Sequence, residues 1–359
     1  MMAEQTYTNQ LTSLQTDLLA FLRTFEAAQE SIRPGVLREL QAQLVAATGS
    51  TFRRFESDFA PLTPPSGMEQ QHEQFCAAVR ELAKACELFM SEPGPQWTLI
   101  YLHSRAGFCR GLYALYELRD HLPILAAHFI SDGAAPPSPA SADGTARGFI
   151  HRERTQQRSD YTLYIPEDYS KNKPLPLILA LHGGHGQGME YVWTWLRPAR
   201  SRGYAVLAPK SWSNTWDFDM PSLDTGSVLR MLDEVTKEYA IDPARVYLTG
   251  LSDGATYGYI VGLEHNHLFR GMAPIAGVLH PAVDQMLRAA RGKDLPMLIV
   301  HGVHDFIFPV AFARSCVTLL EGIGYNLTYK ELPDWGHAYP YSINKSIVMP
   351  WFESLPPKN

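Results

Sequence analysis

A serine, an aspartate and a histidine, widely separated in the chain, each stand on a short turn that follows a strand-like run. Ser252 lies in Gly250-Leu-Ser252-Asp-Gly254, directly after Val246–Thr249. Asp305 closes His301-Gly302-Val303-His304-Asp305, after the run 297–300, and His337 closes Asp334-Trp335-Gly336-His337, after 327–332. Together these types make a nucleophile, a base and an acid that orients the base: Ser252 would attack, His337 would take its proton, and Asp305 would accept the other imidazole N–H. Such a serine needs a tight strand-to-helix turn that exposes its hydroxyl, and the flanking glycines remove side chains that would collide there. The helix that follows aims its positive end at the developing oxyanion. His304 is a competing base, but it adjoins the acid and is sterically awkward.

A second glycine-rich turn, Leu181-His182-Gly183-Gly184-His185-Gly186, also follows an apolar run. It can aim backbone N–H groups at a substrate oxygen, so the Gly184 and Asp253 amides are the expected oxyanion donors. His185 in this turn, with Trp212 and Trp216 of the segment Ser211–Phe218, is expected on the substrate side. The competing reading for such aromatics is packing of loop against core. His182 and His301 are expected to hold their loops by hydrogen bonds. His265 and His267 are two histidines near a helix end, too few for a metal site, so no metal is expected.

These groups need a scaffold that brings distant turns to one edge. From residue 148 onward, short β-rich runs alternate with helical ones. Strands are expected at 161–165, 177–181, 204–208, 245–249, 272–276, 297–300 and 327–332. Helices are expected at 224–239, from the elbow to about 263, and at 310–320. The run 151–154 reads as a solvated strand or loop. Apolar strands alternating with helices imply an α/β domain, a mostly parallel sheet covered on both faces, with functional residues at the carboxyl ends of its strands. Before residue 131, leucines and phenylalanines recur at helical spacing in four stripes: 11/14/18/22/25, 37/40/44/47, 75/79/82/86/89 and 112/115/118/122. Pro34-Gly35, 61–67 and Pro93-Gly94-Pro95 punctuate them. The expected organisation is an all-helical domain at 1–130, a small-residue and proline linker at 131–147, and the α/β domain at 148–359.

The chain has 359 residues, 45% of them hydrophobic and 19% charged, with a formal net charge of −6. No basic cluster is dense enough for nucleic acid. No apolar run reaches the ~20 residues of a membrane span, and no signal-like start is present, so a cytoplasmic location is expected. The four cysteines form no C-x-x-C pair and read as buried free thiols.

The residues from about 148 to 356 resemble the α/β-hydrolase superfamily, and within it the bacterial phospholipase/carboxylesterase group and the related polyhydroxybutyrate-depolymerase and feruloyl-esterase-like proteins. The matching elements are His182-Gly183-Gly184, Gly250–Gly254, His301-Gly302…Asp305…Pro309 and Gly336-His337, in the chain order Ser, Asp, His. Trp216-Asp217 matches an element of the carboxylesterase group. The resemblance implies an α/β-hydrolase fold and hydrolysis of a small-molecule carboxylic ester through an acyl-enzyme, without cofactor. Two rival readings stay open: a peptidase or polyester depolymerase on the same triad, and a non-catalytic binding or assembly protein. The helical N-terminal part resembles nothing nameable and is open to three roles: homo-oligomerisation, a lid, or partner binding.

Overall fold

A computed structural model describes residues 2–94, 96–140, 143–153 and 160–356. Pro95, the linker residues 141–142 and Arg154 of the 151–154 run lie outside the described residues. The chain divides into two compact units, Met1–Ala134 and Ala135–Asn359.

The first unit is helical. Its long helices are Met2–Glu30, Leu37–Thr48, Glu69–Phe89 and Trp97–Glu117. The predicted stripes are their inward faces. Leu14, Leu18, Leu22 and Phe25 are buried, as are Phe75, Val79, Leu82, Cys86 and Phe89. Leu118 and Leu122 lie beyond the end of the last long helix yet remain buried. The core of this unit also takes in polar groups that pair with one another. Arg105 Nη1 donates to Gln29 Oε1 at 2.7 Å, and His128 Nε2 lies 3.2 Å from Glu26 Oε1.

The second unit holds one eight-stranded sheet. The strands are β1 (Gly148–Arg152), β2 (Tyr161–Ile165), β3 (Leu175–Leu181), β4 (Ala205–Pro209), β5 (Ile241–Leu251), β6 (Gly271–Ile275), β7 (Met297–Gly302) and β8 (Leu327–Leu332). Their spatial order is β1-β2-β4-β3-β5-β6-β7-β8. β1 pairs with β2 and β2 with β4 antiparallel, and every other pairing is parallel. This is the α/β-hydrolase arrangement. Every residue of β3, β4 and β6 is buried, because helices cover both faces of a parallel sheet. β8, at one edge, alternates between half-buried and exposed residues.

Strand positions came within a few residues of expectation, and β1 takes in the first part of the run 151–154 that reads as a strand or loop. β1 includes His151 and Arg152, and among the described residues its strand pairing is with β2 alone. An edge strand with one neighbour tolerates charged residues, which hides it in the sequence pattern. The helix expected from 224 begins at Pro221, with proline in its first turn, where its missing N–H costs nothing. Among the described residues, no helix is long and apolar enough to cross a membrane.

In a parallel sheet the carboxyl ends share one rim. Leu181 of β3 pairs with Gly250 of β5, and Gly302 of β7 pairs with Leu332 of β8. The loops carrying His182–Gly186, Ser252, Asp305 and His337 therefore all leave from that rim.

Candidate active site

Ser252 caps the helix Asp253–Glu264 with φ 57° and ψ −122°. A non-glycine residue in this region stores about 1–3 kcal/mol of strain and persists only when its surroundings over-determine it. They do so here. The Ser252 N–H donates to the Ile275 carbonyl at 3.0 Å, and the Ser252 carbonyl accepts the Ala255 and Thr256 N–H groups at 2.9 Å. A methyl group added at Gly254 would stand 2.3 Å from the Leu181 carbonyl oxygen. Only glycine lets the helix start press this closely against the end of β3.

The three side chains meet. His337 Nε2 lies 2.8 Å from Ser252 Oγ, and His337 Nδ1 lies 2.8 Å from Asp305 Oδ2. A carboxylate accepts only, so Nδ1 carries the proton and Nε2 is left to receive the serine hydroxyl. The Asp305 side chain is fully buried. Its other oxygen, Oδ1, accepts the Ile307 and Phe308 N–H groups at 2.9 and 2.7 Å, so the turn folds around its own carboxylate. The acid and base loops are also joined by backbone. The His304 N–H donates to the Trp335 carbonyl at 3.0 Å, and the Val303 N–H to Leu332 at 2.9 Å. Edges of Phe308 and Phe306 face the His337 ring, with centroids 5.6 and 6.4 Å away.

His301 is buried behind Asp305. Its Nε2–H donates to the Phe308 carbonyl at 2.8 Å. Burial lowers its pKa and holds the ring neutral, against a smaller opposing pull from that hydrogen bond.

The glycine-rich turn after β3 faces the elbow. A methyl group at Gly184 would meet Asp253 Oδ2 at 2.6 Å, and the same oxygen accepts the Thr215 hydroxyl at 2.6 Å. The Asp253 N–H opens the helix Asp253–Glu264, where no intrahelical carbonyl serves it. Gly184 and Asp253 thus approach each other beside Ser252. His182 fixes this turn from below: its Nδ1–H donates to the Gly183 carbonyl at 2.8 Å, and its Nε2 accepts the Ser211 N–H at 3.0 Å. Burial brings its pKa down to about 4.

The three expected substrate-side residues fall in different places. Trp216 is a correction: it is 2% exposed, its indole donates to the His182 carbonyl at 2.8 Å, and it stacks on Tyr257 at 5.2 Å. An indole this buried, set against the Tyr257 and His182 rings, packs the loop against the core and offers almost no surface to a ligand. Trp212 is 48% exposed, and His185 is exposed with φ 58°. Two further residues, Thr215 and Asp224, order this side of the site. Asp224 is buried and accepts the Trp212 and Asp217 N–H groups at 3.2 and 2.9 Å, pinning the 211–217 loop. Its signal was the Pro221 helix start, which places Asp224 in the first turn of the helix, beside that loop. His265 and His267 have rings 6.3 Å apart, and among the described residues no group of three or more His, Cys, Asp or Glu gathers where a metal ion could be held.

Residues 224–348 match the model of the phospholipase/carboxylesterase family. A bifunctional acetylxylan esterase/xylanase of Neocallimastix patriciarum is 33% identical over 151 residues, which are 41% of this chain and 21% of the relative. A probable feruloyl esterase C of Aspergillus niger is 28% identical over 164 residues, 42% of this chain and 56% of the relative. The chain thus spans between a fifth and somewhat over half of the length of these relatives. Among solved structures, a ferulic acid esterase of Anaeromyces mucronatus aligns with 63% of this chain and 92% of its own at 15% identity, with a TM-score of 0.49.

Proposed function

We propose that this chain, a member of the α/β-hydrolase superfamily, hydrolyses carboxylic esters through an acyl-enzyme on Ser252. The observation that carries the reading is the pair of 2.8 Å contacts that link Ser252 Oγ through His337 to Asp305. In the first stage, Ser252 Oγ bonds to the ester carbonyl carbon while His337 Nε2 takes the hydroxyl proton. The carbonyl oxygen becomes an oxyanion facing the Gly184 and Asp253 amides. The carbon–oxygen bond to the alcohol then breaks, and His337 returns the proton to the departing oxygen. In the second stage, water gives a proton to His337 and adds to the acyl carbon. Collapse frees the carboxylic acid and restores the serine. Throughout, Asp305 holds the imidazole in the productive tautomer and faces the positive charge it acquires.

The test is a fluorophosphonate probe together with a short-chain nitrophenyl ester. Labelling at Ser252 is expected, and Ser252→Ala is expected to lower ester hydrolysis by a factor on the order of 10³ or more. A folded Ser252→Ala protein that turns over like the parent overturns the assignment. Failure of the wild-type chain to label favours the non-catalytic reading. Peptide and polyester substrates run beside the esters separate the hydrolase classes, since the triad chemistry is common to all of them.

A further inference from the structure

We propose that Phe306 and Ile307 form an apolar wall for the alcohol half of the ester, so that the preferred substrates are esters of apolar or aromatic alcohols. The inference rests on the reading above and deepens it. His337 must deliver its proton to the leaving oxygen, so the alcohol departs along the face of that imidazole. An exposed side chain on this flank is Phe306, whose ring centre lies 6.4 Å from that of His337 with the planes at 73°.

The turn that carries these residues is rigid. Asp305 Oδ1 holds the Ile307 and Phe308 N–H groups, and the Phe308 carbonyl is held by His301. Phe308 and the buried Asp305 provide the inward packing of the turn. Phe306 and Ile307 are left 51% and 49% exposed. Two large neighbouring apolar side chains, half in water on a fixed backbone beside the base, gain favourable burial only when something apolar covers them. The loops on the Gly184 side present the Thr215 hydroxyl, the Asp253 carboxylate and the exposed His185 together with the half-exposed Trp212. On the His337 side two exposed neighbours, Phe306 and Ile307, are both apolar.

The experiment compares methyl, butyl and 2-phenylethyl acetate, which share an acyl group and have alcohols of similar acidity. The readout is the ratio of kcat/KM for the 2-phenylethyl ester to that for the methyl ester, taken within each protein so that a general loss of activity cancels. In the wild type this ratio is expected to be roughly tenfold or more, in keeping with burial of part of a phenyl ring. Phe306→Ser with Ile307→Ser is expected to bring it close to one, and Phe306→Trp to retain it. A wild-type ratio near one, or a high ratio that survives the double substitution, overturns the proposal while leaving ester hydrolysis standing. A wild-type protein that cleaves none of the three overturns both readings together.

Discussion

His301 Nε2 stands 3.3 Å from Asp305 Oδ2, the same oxygen that accepts the His337 Nδ1–H. Two imidazoles therefore flank one buried carboxylate oxygen. One is the candidate base, and the other is a neutral ring bonded to the Phe308 carbonyl. Through that bond His301 fixes the turn that fixes the acid.

His301→Leu is accordingly expected to act on Asp305 from behind. It removes the donor to a half-buried carbonyl, which costs about 1–3 kcal/mol. Urea unfolding should register that loss. kcat for a short-chain ester should fall more than KM rises, because the freed carboxylate orients His337 less well. Unchanged kcat in a destabilised protein would reduce His301 to a packing residue.

Asp305→Asn keeps the shape of the acid but presents an amide N–H where the imidazole needs an acceptor. The tautomer of His337 should invert, leaving Nε2 unable to take the serine proton. The expected outcome is a fall in kcat on the order of 10⁴, with slower fluorophosphonate labelling at Ser252 and a nearly unchanged unfolding midpoint.

His182 makes stability depend on acidity. Its pKa is about 4 in the folded chain against an ordinary 6.5, with burial the main cause. Protonation would also turn Nε2 from acceptor to donor against the Ser211 N–H. Between pH 6.5 and 4 the unfolded chain binds the proton and the folded chain does not. The contribution is whole above 6.5 and lost as pH falls towards 4, amounting to about 3 kcal/mol. His301 is shifted in the same direction and adds to the descent. Denaturant midpoints across this range should fall, and His182→Gln should flatten the curve.

Gly302→Ala tests the junction between the acid and base loops. The added methyl would meet the Trp335 carbonyl oxygen at 2.2 Å. One loop must move, at a cost of about 1–3 kcal/mol. Since Trp335 lies two residues before His337, ester turnover should drop although position 302 reaches no substrate. Parent-like kcat would show that the loops shift without disturbing the base.

The sheet and the turns of the candidate site were legible because each rests on a local pattern: an apolar run ended by a glycine-bearing turn. β3, an apolar run that leads into His182-Gly183-Gly184, was placed within two residues of its observed bounds for that reason, and β2 was placed from its alternation. What escaped depends on partners far away in the chain. β1 becomes a strand only through β2. Trp216 reads equally well as pocket or core until its indole is seen bonded to His182, 34 positions away. Thr215 gains its part from Asp253, and Asp224 from two backbone amides of the preceding loop. His301 was expected to hold a loop by hydrogen bonding, yet nothing local says that its bond would reach Phe308.

The candidate nucleophile leaves the middle of the sheet, whereas the candidate acid and base leave β7 and β8 towards its margin. β5 is hemmed in on both sides by buried neighbours, so the strained serine has no room to drift. The outer strand has a free side, and loops there can change length at little thermodynamic expense. On the proposed mechanism, the bond-making residue would stand on fixed ground while the proposed alcohol wall stands on ground open to remodelling. A mutational library confined to 306–309 and 333–336 should therefore yield variants with new alcohol preferences that still label at full stoichiometry.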